Sequence, residues 1–436
     1  MTEKLYDRHL KSEIDDALQS ARVVNLIGPR QTGKTTLVRD MLNKGYFVSL
    51  DDESMLAAVE ADPQGQLQSM VSLARGEPII IDEVQRSKRV VLTIKRIVDE
   101  NRKMGQFVLT GSSNIFVSAD VTDSLTGRVQ TLKMLPLSSA EIAGVEPCRL
   151  LQWAKEGAEM ASLPTCQPTS RAEYVDRIIR GGYPEIRPLP ERSRQRRYRE
   201  YIDAIVDRDV ADVMKIRRTD AMRRLVDQLA VRTGHELNIN GVGDKIDLIR
   251  QTTGQYVDIL ERLSLVIRLP AWASGEAGRD IRHPKSHVVD TGIATALRGL
   301  TATDFDPGKD QTPLGYLVET YVFNELLKCL PLQQDEWRLF HWRDRDGAEV
   351  DIIAENGDLL VGFEMKASST ISASDFKNFH TFKTGPAKKW NFVGLVIYLG
   401  DKVLTFGDRH FAIPLSMFSS YGRPTEKMAS GQLHDA

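Results

Sequence analysis

Two groups of residues in this chain have the types and spacing for phosphate chemistry. The first is Gly28-Pro29-Arg30-Gln31-Thr32-Gly33-Lys34-Thr35, which fits the P-loop pattern G-x-x-x-x-G-K-[ST]. Its glycines let the backbone aim N–H groups at phosphate, and a helix starting here adds a partial positive charge. In such a loop Lys34 reaches the β and γ phosphates, while Thr35, followed by Thr36, ligates Mg²⁺. The matching acids lie in Pro78-Ile79-Ile80-Ile81-Asp82-Glu83, a β-branched run ending in carboxylates. Asp82 would hold Mg²⁺ through water, and Glu83 would polarise the water attacking the γ-phosphate. ATP and Mg²⁺ are the cofactors these residues call for.

Downstream residues extend this group. Phe107–Gly111 reads as a strand whose tip, Ser112-Ser113-Asn114, can hydrogen-bond the γ-phosphate or the attacking water. A plain polar loop explains the same residues. Arg128, in Leu125-Thr126-Gly127-Arg128, reads as an arginine finger acting in cis or from a neighbouring subunit, or as one half of a surface salt bridge. A finger supplied in trans would need a homo-oligomer.

The second group lies in the last third of the chain. Asp351 precedes Glu364 by thirteen residues, and Lys366 follows in Glu364-Met365-Lys366. Alternation along a strand puts Glu364 and Lys366 on one face, and a hairpin can bring Asp351 beside them. Glu319, on a predicted helix, can complete the cluster. Carboxylates of this kind bind Mg²⁺ or Mn²⁺, which would lower the pKa of a water and stabilise a pentavalent phosphate. Lys366 would orient that water or neutralise developing charge.

Elements must hold these residues in place. Val23–Ile27 reads as a buried strand entering the P-loop, and 36–42 as the helix leaving it. Residues 4–21 read as an amphipathic helix with Leu5, Leu10, Ile14 and Leu18 on one side. Asp51-Asp52-Glu53 ends a short strand, and capping the next helix suits these acids better than touching metal. The boundaries predicted are a nucleotide-binding domain over 1–145, a loop-rich connector and basic helical region over 146–219, a winged-helix-like domain over 220–282, an α/β domain over 283–415 and a tail over 416–436. In the basic region Arg192, Arg194, Arg196, Arg197 and Arg199 can neutralise phosphates, whereas i,i+4 acids explain much of 200–212 as a solvated helix. Arg208 is a further candidate for sensing nucleotide from the lid side. The winged-helix pattern places Arg250, Gln251, Thr252, Thr253 and Gln255 where they can meet base edges or phosphates, although the same helices can serve protein packing alone.

Bulk properties set limits. The chain has 436 residues, 41% hydrophobic and 27% charged, with formal net charge −2. That composition suits several globular domains and excludes a uniformly basic coat for nucleic acid, though not a local basic face. Cys148, Cys166 and Cys329 share no metal-ligand spacing. No apolar run approaches the roughly 18 residues of a membrane span, so a cytoplasmic protein without a membrane partner is expected.

The run Leu26–Thr35, then Ile81-Asp82-Glu83-Val84-Gln85, Leu109–Asn114, Leu125–Arg128 and Leu135-Pro136-Leu137-Ser138-Ser139-Ala140-Glu141, resembles the AAA-type ATPases of prokaryotic proteins with a PD-(D/E)XK nuclease-like C-terminal domain. The turn Gly181-Gly182-Tyr183-Pro184-Glu185 matches a recurrent element of that family, and Arg128 matches its Gly-Arg pair. Glu319, Asp351 and Glu364-Met365-Lys366 are similar to the nuclease core: a helical Glu, an Asp, then Glu-x-Lys. The resemblance implies an α/β architecture: an ASCE-type parallel sheet with the Walker B strand beside the P-loop strand, a helical middle and a restriction-endonuclease-like domain. Two phosphate-chemistry sites in one chain point to ATP-regulated, metal-dependent processing of DNA. A nucleotide-switched DNA-binding scaffold with an inert nuclease fold, and a motor remodelling DNA or protein, fit the same residues.

Overall fold

The computed structural model describes residues 5–111, 127–164, 166–207, 219–275 and 283–421. Its amino-terminal sheet is parallel throughout, with strands β1 (Val23–Ile27), β2 (Tyr46–Ser49), β3 (Ile79–Asp82), β4 (Phe107–Gly111) and β5 (Val129–Lys133) in the order β2-β3-β4-β1-β5. Strands β3 and β4 are buried along their whole length, as their apolar runs require of a sheet covered on both faces. Leu10, Ile14 and Ala17 of helix Leu10–Ser20 pack with Leu26, Val38 and Val108 in one core. Val90, Val91, Ile94 and Val98 of helix Lys88–Glu100 join Val23, Ile79, Ile81 and Leu109 in another. Parallel strands bring their carboxyl ends to one edge, where the P-loop and Asp82 emerge.

Two expectations are corrected here. The Walker B strand is not beside the P-loop strand: β4 lies between them, because Phe107 pairs with Val23 on one side and Ile79 on the other. Leu5 precedes the first helix and is exposed, so it does not share that helix's apolar face. Asp52 does cap helix Glu53–Ala61, accepting from the backbone N–H groups of Ser54 and Met55.

The described residues of 146–219 are largely helical rather than loop-rich. Helices Leu150–Lys155, Arg171–Arg180 and Glu191–Ile205 contribute Trp153, Tyr174, Ile178 and Tyr198 to a large core shared with the C-terminal half. Trp153 meets Phe411 edge to face at 5.0 Å, and the Tyr174 hydroxyl donates to the Gly400 carbonyl at 2.9 Å. Next come helix Thr219–Val231, strand β6 (His235–Glu236), a short helix Ile239–Gly243, helix Arg250–Arg262, and strands β7 (Val266–Leu269) and β8 (Lys285–Val288). These strands form an antiparallel sheet in the order β6-β8-β7. Strand β8 therefore belongs to the middle unit, not to a domain starting at residue 283.

The last sheet has the order β13-β14-β12-β11-β10-β9, with β9 (Arg338–Arg343), β10 (Glu349–Asn356), β11 (Leu359–Lys366), β12 (Asn391–Tyr398), β13 (Leu404–Thr405) and β14 (His410–Pro414). Strands β9, β10 and β11 run as an antiparallel meander, whereas β12 is parallel to β11. Helix Thr312–Cys329 lies on one side, where Val318, Val322 and Phe323 share a core with Ile352 and Phe363. On the other side Phe379 and Phe382 of helix Lys377–Thr384 pack with Trp272, Trp342 and Phe392. The predicted tail begins later than residue 416, since Met417 and Phe418 are fully buried in helix Met417–Ser420.

Candidate functional site

The P-loop leaves β1 at Gly28, whose φ is +150°. A Cβ there would lie 2.1 Å from the Met134 carbonyl oxygen, so only glycine lets the loop cross this close to the strand beside it. Gly33, at φ +92°, turns the chain into the helical run Lys34–Thr36 and Leu37–Met41, the latter a π-turn. Between the glycines, Gln31 adopts φ +58° and the Thr32 hydroxyl donates to the Pro29 carbonyl at 3.0 Å.

Lys34 is buried, and its ammonium donates to the carbonyls of Gly28 at 3.0 Å and Pro29 at 2.8 Å. Burial pulls its pKa down to about 8, against the opposing pull of Glu83 and Asp82. The Thr35 hydroxyl is 3.1 Å from both carboxylate oxygens of Asp82, and the Thr110 hydroxyl also donates to Asp82. A hydroxyl and a carboxylate meeting beside the loop form the oxygen donor set that Mg²⁺ takes. Glu83, one residue on, sits at φ +54°, a strained setting for a non-glycine residue that turns it away from the strand. Burial raises its pKa, and a hydrogen bond from the Gln85 amide counters part of the rise.

Arg30, Lys34, Thr35, Glu83, Arg197 and Tyr201 face one cavity of about 380 Å³, within the range of small-ligand sites. Its far wall is helix Glu191–Ile205, whose Tyr201 hydroxyl donates to the Arg30 carbonyl at 3.2 Å. Arg197 and Tyr201 were not singled out as nucleotide contacts from sequence; the one signal was the arginine-rich stretch 192–199. Arg8 was missed altogether. Its buried guanidinium donates to the carbonyls of Thr32 and Leu135, each at 2.7 Å, and to Glu141 at 3.0 Å. Burial alone would raise the Glu141 pKa, but Arg8 and the N–H groups of Ser138 and His9 hold it below the usual range.

Arg128 is not brought to this cavity. It immediately precedes β5, which starts level with the amino end of β1, so it lies at the sheet edge opposite the P-loop. There it is paired with Asp99 through two guanidinium nitrogens, and Arg22 lies 3.6 Å from the same carboxylate. A finger acting in cis is therefore corrected to a salt bridge. Ser112 and Asn114, and Arg208, lie outside the described residues.

The second group does converge. The Asp351 carboxylate accepts from the Met365 backbone N–H at 2.9 Å, and Lys366 donates to Glu364 at 3.0 Å. Two residues not anticipated complete the cluster. Lys285, delivered by β8, is buried with its ammonium 2.8 Å from Glu319, 2.5 Å from Glu349 and 3.5 Å from Asp351. Burial pulls the Lys285 pKa down, but Glu319, Asp351 and Glu349 outweigh it and hold the ammonium charged. Burial and the neighbouring Asp351 charge push the Glu364 pKa up to about 8. Among the described residues no group of His, Cys, Asp and Glu is arranged to hold a metal ion. Of the acids expected to hold metal here, Glu319 and Asp351 are paired with Lys285, and Glu364 with Lys366.

Residues 20–143 match the family model described as AAA domain. The amino-terminal segment is thus similar to P-loop domains of the AAA type. Residues 171–304 and 314–418 match two further models, each described as a domain of unknown function, DUF8612 and DUF4143. A Mycobacterium tuberculosis protein, "Uncharacterized protein Rv2008c", is 26% identical over 97% of this chain and 86% of its own length. "Uncharacterized protein MJ1544" of Methanocaldococcus jannaschii is 21% identical over 80% of this chain and 76% of its own. The Walker-type ATPase PABY2304 of Pyrococcus abyssi aligns with a TM-score of 0.42 and 13% identity, covering 68% of this chain and 97% of that one. Cdc6p from Pyrobaculum aerophilum aligns with a TM-score of 0.27 and 12% identity, covering 69% and 97%. No helix among the described residues is long and apolar enough to cross a membrane.

Proposed function

We propose that this protein binds and hydrolyses ATP with Mg²⁺, and that its nucleotide state governs a C-terminal half directed at DNA. The reading rests on one observation: Lys34, Thr35 and Glu83 line one cavity closed by an arginine-bearing helix, and Thr35 hydrogen-bonds Asp82 behind it. Lys34 exchanges its two loop carbonyls for phosphate oxygens. Thr35 and Asp82 would hold Mg²⁺, which would supply charge screening for the phosphates. Glu83 takes up the proton of the attacking water, and its raised pKa suits that task. Calorimetry and phosphate release on wild type, Lys34→Ala and Glu83→Gln test this. Lys34→Ala is expected to lose ATP affinity. Glu83→Gln is expected to bind ATP while hydrolysis falls by about 10²- to 10⁴-fold. Wild-type protein with no affinity for ATP at any Mg²⁺ concentration would falsify the reading.

A second reading, Mg²⁺- or Mn²⁺-dependent DNA cleavage, is favoured by the order helix, three strands, helix, strand around Asp351, Glu364 and Lys366. The sheet order β6-β8-β7 next to helix Arg250–Arg262 supports a winged helix as the DNA contact. Labelled DNA incubated with either metal, with and without ATP, should be cut by wild type and spared by Lys366→Ala. Equal background cutting by both leaves the nucleotide-switched scaffold instead.

A further inference from the structure

The carboxylate cluster between the middle unit and the last sheet carries a charge arrangement that neither reading anticipates. Glu319, Glu349 and Asp351 all turn to one ammonium, that of Lys285, whose side chain is 3% exposed. The ammonium donates to Glu319 at 2.8 Å and to Asp351 at 3.5 Å, and is ion-paired with Glu349. Two buried polar atoms of the neighbouring residues have no hydrogen-bond partner: Glu364 Oε2 and His287 Nε2. His287 is on β8 with Lys285; its side chain is completely buried and its Nε2 is 3.9 Å from Glu319 Oε1. Glu364 has a side-chain exposure of 9% and feels the charges of both Asp351 and Lys285.

Buried polar atoms without partners are uncommon and call for a reason. A divalent cation accepts about six or more ligands, where lysine offers three donors. It would take the acids now on Lys285 and also the two atoms that Lys285 leaves unpaired. Lysine supplies a like-signed charge at that place but cannot saturate it.

We propose that the Lys285 ammonium is a resident cation which a divalent metal must displace, so that the placement of β8 decides whether the cluster can take metal. Strand β8 is held in the middle unit by β6 and β7, and Thr233 of that unit hydrogen-bonds Thr320, the neighbour of Glu319, at 2.8 Å. A shift of the middle unit against helix Thr312–Cys329 would withdraw Lys285 and leave the acids facing one another. The inference deepens the DNA-cleavage reading, since it names what keeps that site closed, but it concerns metal binding alone.

The test is Mn²⁺ titration of the full chain without nucleotide, read by electron paramagnetic resonance. Wild type should show no Mn²⁺ site that Asp351→Asn removes. Lys285→Met should gain one such site, binding about tenfold tighter or more than anything in wild type, and Lys285→Met/Asp351→Asn should lose it. Should Lys285→Met fail to fold, Lys285→Met/Glu349→Gln removes one charge of each sign and keeps the cluster's balance. A folded Lys285 variant with no gained Mn²⁺ overturns the proposal. So does an Asp351-dependent site of equal affinity in wild type, whatever the variants do. Metal uptake by Lys285→Met without DNA cutting would sink the cleavage reading and leave this one standing.

Discussion

Arg8 and Glu141 brace the P-loop that carries Lys34. The Arg8 guanidinium ties the loop carbonyl of Thr32 to that of Leu135, and Glu141 supplies its counter-charge from the first turn of a capped helix. Because the Glu141 pKa is depressed in the folded chain, its contribution is present above the unfolded value of about 4.3 and is lost as pH falls through the folded one. Glu141→Gln is therefore expected to lower stability at pH 7 by about 3–5 kcal/mol, the scale for stranding one partner of a buried pair. The gap to wild type should narrow as urea melts are taken to progressively more acid pH below about 4. A gap that stays constant across that range would show that Arg8 holds the loop through its carbonyl contacts alone.

At the scale of elements, helix Glu191–Ile205 is a wall of the nucleotide cavity. Arg197 reaches the cavity while making only a loose, exposed pair with Glu200 at 3.5 Å. Exposed pairs add little to stability, so Arg197→Ala should melt within about 0.5 kcal/mol of wild type. Its ATP affinity should nonetheless fall, by about three- to tenfold, from the lost charge-assisted contact. Unchanged affinity by calorimetry would assign the wall to Tyr201 and the backbone. Elements also explain what was legible beforehand. The P-loop and its acids were readable because Val23–Thr36 and Ile79–Glu83 are contiguous strand-to-loop signals, each needing only its own residues. The partners of Asp351 were half readable: Glu364 and Lys366 share a strand, so alternation finds them. Lys285 was not, because a buried lysine on a short strand of one sheet has no local mark of the acids it meets on another. Arg128 was misplaced for a related reason: its position along the chain suited a finger, but parallel register sends it to the opposite edge of the sheet.

At the scale of the molecule, the two candidate sites are joined by one helix. The Ser139 N–H donates to Glu325 at 2.8 Å, and the Lys328 ammonium donates to the Leu137 carbonyl at 3.0 Å and to Glu325 at 2.9 Å. Helix Thr312–Cys329 thus grips the segment after β5 with its last turns and presents Glu319 to Lys285 from its middle. The same segment begins at Met134, whose carbonyl limits Gly28 in the P-loop. Nucleotide binding is expected to slow amide exchange over residues 312–329 as well as around the loop. Lys328→Met should abolish the distant change and leave ATP affinity within about twofold. Identical exchange of that helix with and without ATP in wild type would break the link.

The last helix among the described residues, Met417–Ser420, packs against helix Ser139–Ala143 at the end of the segment matching the AAA model, and Arg177 donates to Ser419 at 2.5 Å. During synthesis the amino-terminal lobe therefore leaves the ribosome long before the segment that covers it has been made. Until then Ala140 and its neighbours face solvent or a chaperone. Proteolytic fragments cut between the matched families should accordingly stay associated, and each should be sticky when made by itself.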